Sequence, residues 1–306
     1  MTNEQNGQTS CVLRLFGTSV LSVQQAAAAL PPQWQLRAQC RSRGAETLLA
    51  LQAQTAEGLR KARQSLAACF AADLYGEGEN GLASAAVQAL ERHHKLLVCS
   101  DAAAGQLLET RLETVPGAEK VFDFGAMSYA DAKVGAQIAR QAQRHGAADA
   151  AAQVLARVQA AQHLVGTELA VGCLEQPEQC LLVLGTKKGC WLRTVYQEDG
   201  PALWLLDMIR RAACGLPQAQ GTSWQRYRDP VPETARTPSD PQAPAAPAAK
   251  PRKKHRLRRI LWVLVLLALA ALAAGWWYTG GDLTALPQML QRIGAESAPH
   301  AGAKLL

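Results

Sequence analysis

The sequence predicts an α/β protein. It should have a small β-α-β-β-α domain, then an α/β sandwich with a mixed sheet, then a Pro/Ala-rich linker and one transmembrane helix. Three observations lead to this prediction. Apolar strands alternate with segments of helical periodicity as far as residue 216, prolines recur through 229–251, and an uncharged apolar run occupies 260–278.

The first domain is predicted to span residues 10–75, after a polar N-terminus (1–9) that we expect to be disordered. Its predicted elements, in chain order, are a strand at 11–16, a helix at 21–30, strands at 34–41 and 46–53, and a helix at 56–70. The first helix stops at Pro31-Pro32, and the glycines between 76 and 81 mark the domain boundary.

The second domain is predicted to span 76–216. Its elements are helices at 82–93 and 103–112, strands at 95–100 and 121–130, two helices within 131–164 separated at His145-Gly146, strands at 168–173, 179–185 and 190–197, and a closing helix at 201–214. Helices between apolar strands indicate a sheet covered on both faces, and the last strands are close enough in sequence to pair antiparallel.

The C-terminal part of the chain is typical of a membrane tether. The linker, 217–259, is rich in proline and alanine and is expected to be extended. The apolar run 260–278 is long enough to cross a bilayer and ends in Trp276, Trp277 and Tyr278, an aromatic belt. The alternative, a buried core helix, should be shorter and lack both this belt and a basic flank. Residues 279–306 would then form an extracytoplasmic tail.

A basic cluster immediately precedes the apolar run and accounts for the charge of the whole protein. The chain carries a net charge of +7, and the seven Lys and Arg residues between 250 and 259 equal that value, so the remainder is neutral. These residues are Lys250, Arg252, Lys253, Lys254, Arg256, Arg258 and Arg259. We expect them to contact anionic lipid on the cytoplasmic side of the plasma membrane. No aromatic residues interleave with them, so nucleic acid is not an expected partner.

The same reasoning predicts a single-pass protein with a cytoplasmic head and an external C-terminus. The polar N-terminus lacks the apolar segment of a signal peptide. The eight cysteines are scattered, contain no C-x-x-C and have no histidines at zinc-like spacing. We therefore predict reduced, buried thiols, with neither metal nor cofactor.

One stretch resembles a known family. VPGAEKVFDFGAMSYADAK, residues 115–133, is similar to the C-terminal domain of CinA proteins, the nicotinamide-nucleotide amidases. Residues 74–105 resemble the family's join between its middle and C-terminal domains, and CVLRLFG resembles the first strand of the middle domain. The resemblance covers about 200 residues. It implies a homodimer, a pyridine nucleotide ligand and hydrolysis of the amide of nicotinamide mononucleotide.

The chain departs from the family pattern where the chemistry is expected. The family's ESCTGG motif corresponds to residues 101–106, with Ala102 and Ala104 in place of hydroxyl residues, and Ala118 stands at the position of the presumed nucleophile. Without an oxygen, a serine-type acyl transfer has no nucleophile. The family's glycine-rich phosphate loop corresponds to 174–177, which contains no glycine.

The remaining candidates for a site are few. Tyr129, Lys133 and Asp101 are the candidate catalytic residues, and Gly105 and Gly117 are the candidate ligand-binding residues. Each also has a structural interpretation: Asp101 as a helix N-cap, Lys133 as a solvated side chain, Gly117 as a turn glycine. We therefore predict a catalytically degenerate binding or scaffold module. The alternative is a nicotinamide mononucleotide amidase, or a divergent amidohydrolase that uses the three catalytic candidates through an activated water.

Overall fold

A computed structural model describes residues 9–122, 132–143 and 149–229, all of which belong to one compact unit, Met1–Ala243. In these ranges no helix has the length and apolar character needed to cross a bilayer. The predicted anchor, the basic cluster and most of the predicted linker lie outside the described residues.

The N-terminal sheet has four antiparallel strands in the order β2-β3-β1-β4. Its elements are β1 (Thr9–Phe16), α1 (Val20–Ala28), β2 (Leu36–Arg43), β3 (Glu46–Ala53), α2 (Ala56–Cys69) and β4 (Leu74–Glu77). This is a split β-α-β arrangement. It confirms the predicted β-α-β-β-α order and extends it by one strand.

Local sequence explains these elements. Ser19 and Thr55 cap α1 and α2, each accepting a hydrogen bond of 3.1 Å from the backbone N–H three residues later. Gly44 adopts φ +62° in the tight β2–β3 turn. Alternating leucines on β1 and β3 point to the side of the two helices and form one buried cluster with them: Leu13, Leu15, Leu49 and Leu51.

The second sheet has five strands in the order β5-β6-β7-β8-β9 and is mixed, because β5 and β6 are parallel and the other pairs antiparallel. Its strands are β5 (Leu97–Cys99), β6 (Leu169–Glu175), β7 (Gln179–Thr186), β8 (Gly189–Tyr196) and β9 (Ser223–Gln225). The helices are α3 (Leu82–Arg92), α4 (Ala102–Leu112), α5 (Ala118–Val121), α6 (Ala132–Gln143), α7 (Ala150–Val165) and α8 (Pro201–Cys214).

This part of the chain is the predicted sandwich. One face of the sheet packs against α3, α4, α5 and α8, and the other against α6 and α7, giving two separate buried clusters. Successive residues of β6 therefore alternate between the clusters, with Val171 in one and Ala170 in the other. Such strands are apolar throughout, as their sequences are.

Three elements differ from the sequence prediction. β4 lies across the predicted boundary after residue 75, because 74–77 pair with β1. Residues 217–229, assigned to the linker, instead continue the fold: Trp224 packs on Trp191 at 4.6 Å between ring centroids, and the Tyr227 hydroxyl donates to the Thr186 carbonyl at 3.1 Å. Of the predicted strand 121–130, only Val121 and Phe122 are described; Val121 ends α5, and Phe122 forms a parallel bridge with Leu97.

The cysteine prediction is wrong for one pair. Cys173 and Cys180 form a disulfide, with Cα atoms 6.7 Å apart. The hairpin register brings them together: Cys180 lies opposite Glu175, so Cys173 is its diagonal neighbour on the same face of the sheet. Both are buried, and the other six cysteines form no disulfide. The prediction of buried thiols is also wrong for Cys69, which is exposed on the last turn of α2. Spacing along the chain could not reveal a pair that depends on strand register.

A buried ion-pair network on α8 joins the two sheets. The Asp207 carboxylate is fully buried and accepts hydrogen bonds from two arginines, Arg210 Nη2 at 2.6 Å and Arg211 Nε at 2.6 Å. Arg210 also donates to the Ala72 carbonyl at 2.7 Å. Both arginines therefore pair with Asp207 within α8, and Arg210 also contacts the chain before β4.

Arg211 extends this network to the first sheet and to the C-terminal segment. Its Nη2 donates to Asp73 Oδ1 at 2.8 Å and to the Phe16 carbonyl at 3.1 Å, while Nη1 donates to the Pro217 carbonyl at 3.1 Å. The side chain of Arg211, only 2% exposed, thus ties β1, the loop before β4 and the segment after α8 to one helix.

We expect Asp207→Ala to lower the free energy of unfolding by about 3–5 kcal/mol, because two buried guanidinium groups lose their shared carboxylate. Urea denaturation of the full-length protein measures the loss. Glu57→Ala is the matched control, since it removes the exposed ion pair between Glu57 and Lys61 and should change stability little. A loss for Asp207→Ala as small as that of the control would contradict a structural role for the network.

Candidate functional site

Asp101 stands at the N-terminus of α4, where its carboxylate is held by the protein itself. Oδ1 accepts a hydrogen bond from the Ala104 N–H at 2.9 Å, and Oδ2 accepts one from the Ser100 hydroxyl at 2.8 Å. The Cys173 N–H lies 3.3 Å from both oxygens. β6 can approach this closely because Gly172 has no side chain; a Cβ there would lie 2.9 Å from Asp101 Oδ2. Asp101 is thus an N-cap that also joins α4 to the sheet.

The pKa of Asp101 is raised, mainly because burial disfavours the charged carboxylate. The hydrogen bonds from Ala104, Ser100 and Cys173 favour the charged form and oppose this shift. A raised pKa is the property expected of a general acid or base, but both oxygens already accept bonds from the protein. Proton transfer between Asp101 and a ligand would require the ligand to replace one of these hydrogen bonds.

Gly105 does not line a ligand loop. It is a buried residue in the first turn of α4, and its N–H donates to the Asp101 carbonyl at 3.2 Å. Ala104 is also buried, in the cluster under α4, whereas Ala102 is exposed at the first position of the helix. The ESCTGG-like segment is therefore the start of a packed helix.

Gly117 is a turn glycine with two constraints. Its φ of +86° belongs to the left-handed region, and a Cβ would lie 2.8 Å from Glu91 Oε1. The residue after it, Ala118, begins α5 and is 2% exposed in the apolar cluster that contains Phe122. The position of the family's presumed nucleophile thus holds a core methyl group.

Asp101 and Gly117 lie at opposite ends of β5. Asp101 follows β5. Gly117 lies near the other end of the strand: a Cβ at Gly117 would meet Glu91, which precedes β5, and Phe122 forms a bridge with Leu97, the first residue of β5. The 11 residues of α4 separate them, a helix about 16 Å long. Tyr129 lies outside the described residues. Lys133 is exposed in the first turn of α6.

The segment that corresponds to the family's phosphate loop is a tight hairpin turn. β6 ends at Glu175 and β7 begins at Gln179, and the Gln176 N–H donates to the Gln179 carbonyl at 2.9 Å. This backbone bond closes the turn, so that N–H does not face a ligand.

Three thiols are not activated as nucleophiles. Burial raises the pKa of Cys11 to about 11 and that of Cys190 to about 12, and it raises the pKa of Cys99 as well. Because the thiolate is the reactive form, these cysteines are inert at neutral pH. Within the described ranges, no group of three His, Cys, Asp or Glu side chains is placed to hold a metal.

A cavity of about 490 Å³ between the first sheet and helices α3, α4 and α8 is the feature that the sequence analysis missed. Three arginines line it, Arg14 from β1, Arg43 from the end of β2 and Arg111 from the end of α4. Arg14 and Arg43 are 29 residues apart in the chain, and Arg43 and Arg111 are 68 apart, so no local motif could have indicated them. Only the docking of the two sheets brings them together.

Comparison of the chain with known proteins does not identify its family. No protein-family model matches it, and no curated protein matches it significantly. The resemblance to CinA proteins therefore rests on the motifs of residues 11–17 and 74–133, and the function that it implies is a proposal.

A serine introduced at Ala118 tests how tightly the core packs around this position. We expect Ala118→Ser to lower the free energy of unfolding by about 1–2 kcal/mol, because the hydroxyl enters an apolar cluster. Ala102→Ser is the matched control: it also changes the first residue of a helix, but an exposed one, and should stay within about 0.5 kcal/mol of the parent. Thermal or urea unfolding compares the two, and equal effects would show that the position of Ala118 still accommodates a hydroxyl.

Proposed function

We propose that this chain is a CinA-like binding module without amidase activity, held at a membrane by its C-terminal segment. The absence of amidase activity is supported chiefly by the burial of Ala118. An acyl-transfer site needs an oxygen or sulfur atom exposed to substrate beside a base, and this position offers a buried methyl group.

The surroundings of Asp101 support the same proposal. Its carboxylate oxygens cap α4 and hold β6, so the side chain has a structural task that does not require a substrate. Gly105 and Gly117 likewise have structural roles, one inside a helix and the other in a turn. The alternative mechanism, in which Tyr129, Lys133 and Asp101 activate a water, would need Asp101 to exchange these bonds for one to that water.

We expect the full-length protein to release no ammonia from nicotinamide mononucleotide, because it has no nucleophile at the family's position. A coupled ammonia assay, with an intact member of the amidase family as positive control, measures this. The proposal would be wrong if the protein turned over the substrate within about tenfold of that control and if Tyr129→Phe or Lys133→Ala abolished this activity. That result would establish the amidohydrolase alternative.

The membrane part of the proposal rests on the sequence of 250–278. Seven basic residues immediately before an apolar run, and aromatic residues at its far end, are the features that orient single-span proteins. The described head ends at Asp229, so about 20 residues of proline-rich chain separate it from the basic cluster. At about 3.1 Å per residue, such a segment reaches roughly 60 Å from the bilayer.

We expect the tail, 279–306, to lie outside and the head to lie in the cytoplasm, because the basic flank is retained on the inner side. With the native cysteines replaced, a thiol probe that cannot cross membranes should label Ser297→Cys in intact cells and spare Ser239→Cys. The reverse labelling would invert the topology, and complete extraction of the protein by alkaline carbonate would remove the anchor from the proposal.

A further inference from the structure

We infer that the arginine-lined cavity between the two sheets binds a phosphate monoester of about mononucleotide size. This inference builds on the proposed binding function and gives it a ligand class and a location. The cavity lies apart from the positions to which the family resemblance points, since Asp101, Gly105 and Gly117 do not line it.

The charge of the cavity favours an anion. Among the described residues that line it, Glu46 is the only acid, whereas three are arginines: Arg14, Arg43 and Arg111. Glu46 Oε1 accepts a hydrogen bond from Arg14 Nη1 at 2.8 Å and another from the Tyr75 hydroxyl. That carboxylate is therefore already neutralised by Arg14, and two cationic side chains remain.

Arg43 and Arg111 supply the remaining charge from two different parts of the fold. Both are exposed, and within the described part of the chain neither forms an ion pair with a carboxylate. Arg43 is the last residue of β2, at the edge of the first sheet, and Arg111 lies in the last turn of α4 in the second domain. Two guanidinium forks across one cavity match a doubly charged group with several acceptor oxygens, as in a phosphate monoester.

Neighbouring groups add to this preference. The first turn of α3 also lines the cavity, through Leu82 and Ala83, so the positive end of the helix dipole adds to the charge of the arginines.

The walls of the cavity can also contact the organic part of a phosphate ester. Phe16, Leu203 and Leu206 form an apolar wall, and Thr110 and Thr114 bring hydroxyl groups. A volume of about 490 Å³ falls within the range of about 300–1,000 Å³ typical of small-ligand sites. An apolar wall beside hydroxyls and a cationic end is the arrangement expected for a base or other flat ring joined to a phosphate through a polar linker.

Isothermal titration of the full-length protein with AMP, adenosine and inorganic phosphate tests this inference. We expect AMP to bind, and adenosine to bind at least about tenfold more weakly because it lacks the dianion. Arg43→Gln and Arg111→Gln should each weaken AMP binding by about tenfold or more. Inorganic phosphate should compete with AMP, whereas chloride at equal ionic strength should compete less.

Arg37→Gln is the matched control. Arg37 lies on the same strand and the same face as Arg43, is also exposed, and does not line the cavity. It should leave AMP affinity within about twofold of the parent, and thermal melts should show all three variants folded, since the arginines are on the surface.

Three results would overturn the inference. The first is AMP binding that Arg43→Gln and Arg111→Gln leave unchanged, and the second is equal affinity for AMP and adenosine. The third is the absence of binding by AMP and phosphate alike. None of these bears on amidase activity, so the ammonia assay decides the proposed function separately.

Discussion

The buried carboxylate of Asp207 is the contact on which the arrangement of this molecule depends. It holds Arg210 and Arg211 inside the protein, and those arginines in turn reach the carbonyls of Ala72 and Phe16. Apolar packing alone would let α8 slide along the first sheet, because dispersion contacts have little directional preference. Charged hydrogen bonds of 2.6–3.1 Å allow far fewer relative positions of the helix and the sheet. A buried ion pair is a weak source of stability, and we take its role here to be the choice of one docking geometry.

That docking geometry determines the cavity. Leu203 and Leu206, which line its apolar wall, lie on the same helix as Asp207, so the ion pairs that position α8 against the first sheet also set the width of the cavity. Arg193 stacks on Trp204 at 3.4 Å from the ring centroid, and Trp204 packs against Phe16 at 4.8 Å between centroids. These contacts fix the end of β1 beside the cavity. A site between two sheets can thus be as well positioned as one within a single sheet, provided that a directional network joins them.

How much of this the sequence could predict depends on the range of the interactions. Helical and alternating periodicities predicted most elements because these signals are local. β4 was missed because its one glycine, Gly76, and the glycines that follow it indicated a domain boundary, and β9 because proline and polar residues surround it. The disulfide and the Asp207 network depend on strand register and helix docking, which periodicity does not report. Asp101 was anticipated as a cap; the cavity was not, because its arginines share no motif.

The residues that resemble the amidase motifs have structural roles in this molecule. A hydroxyl in the interior costs free energy unless it has a partner, and the buried methyl groups of Ala104 and Ala118 need none. A Cβ at Gly117 would meet Glu91, and the carboxylate of Asp101 accepts hydrogen bonds from Ser100, Ala104 and Cys173. A serine placed at Ala118 would therefore have to displace neighbouring atoms as well as find a hydrogen-bond partner. The cavity at the junction of the two sheets is lined by arginines instead, so an anion is more readily accommodated there than at these packed positions.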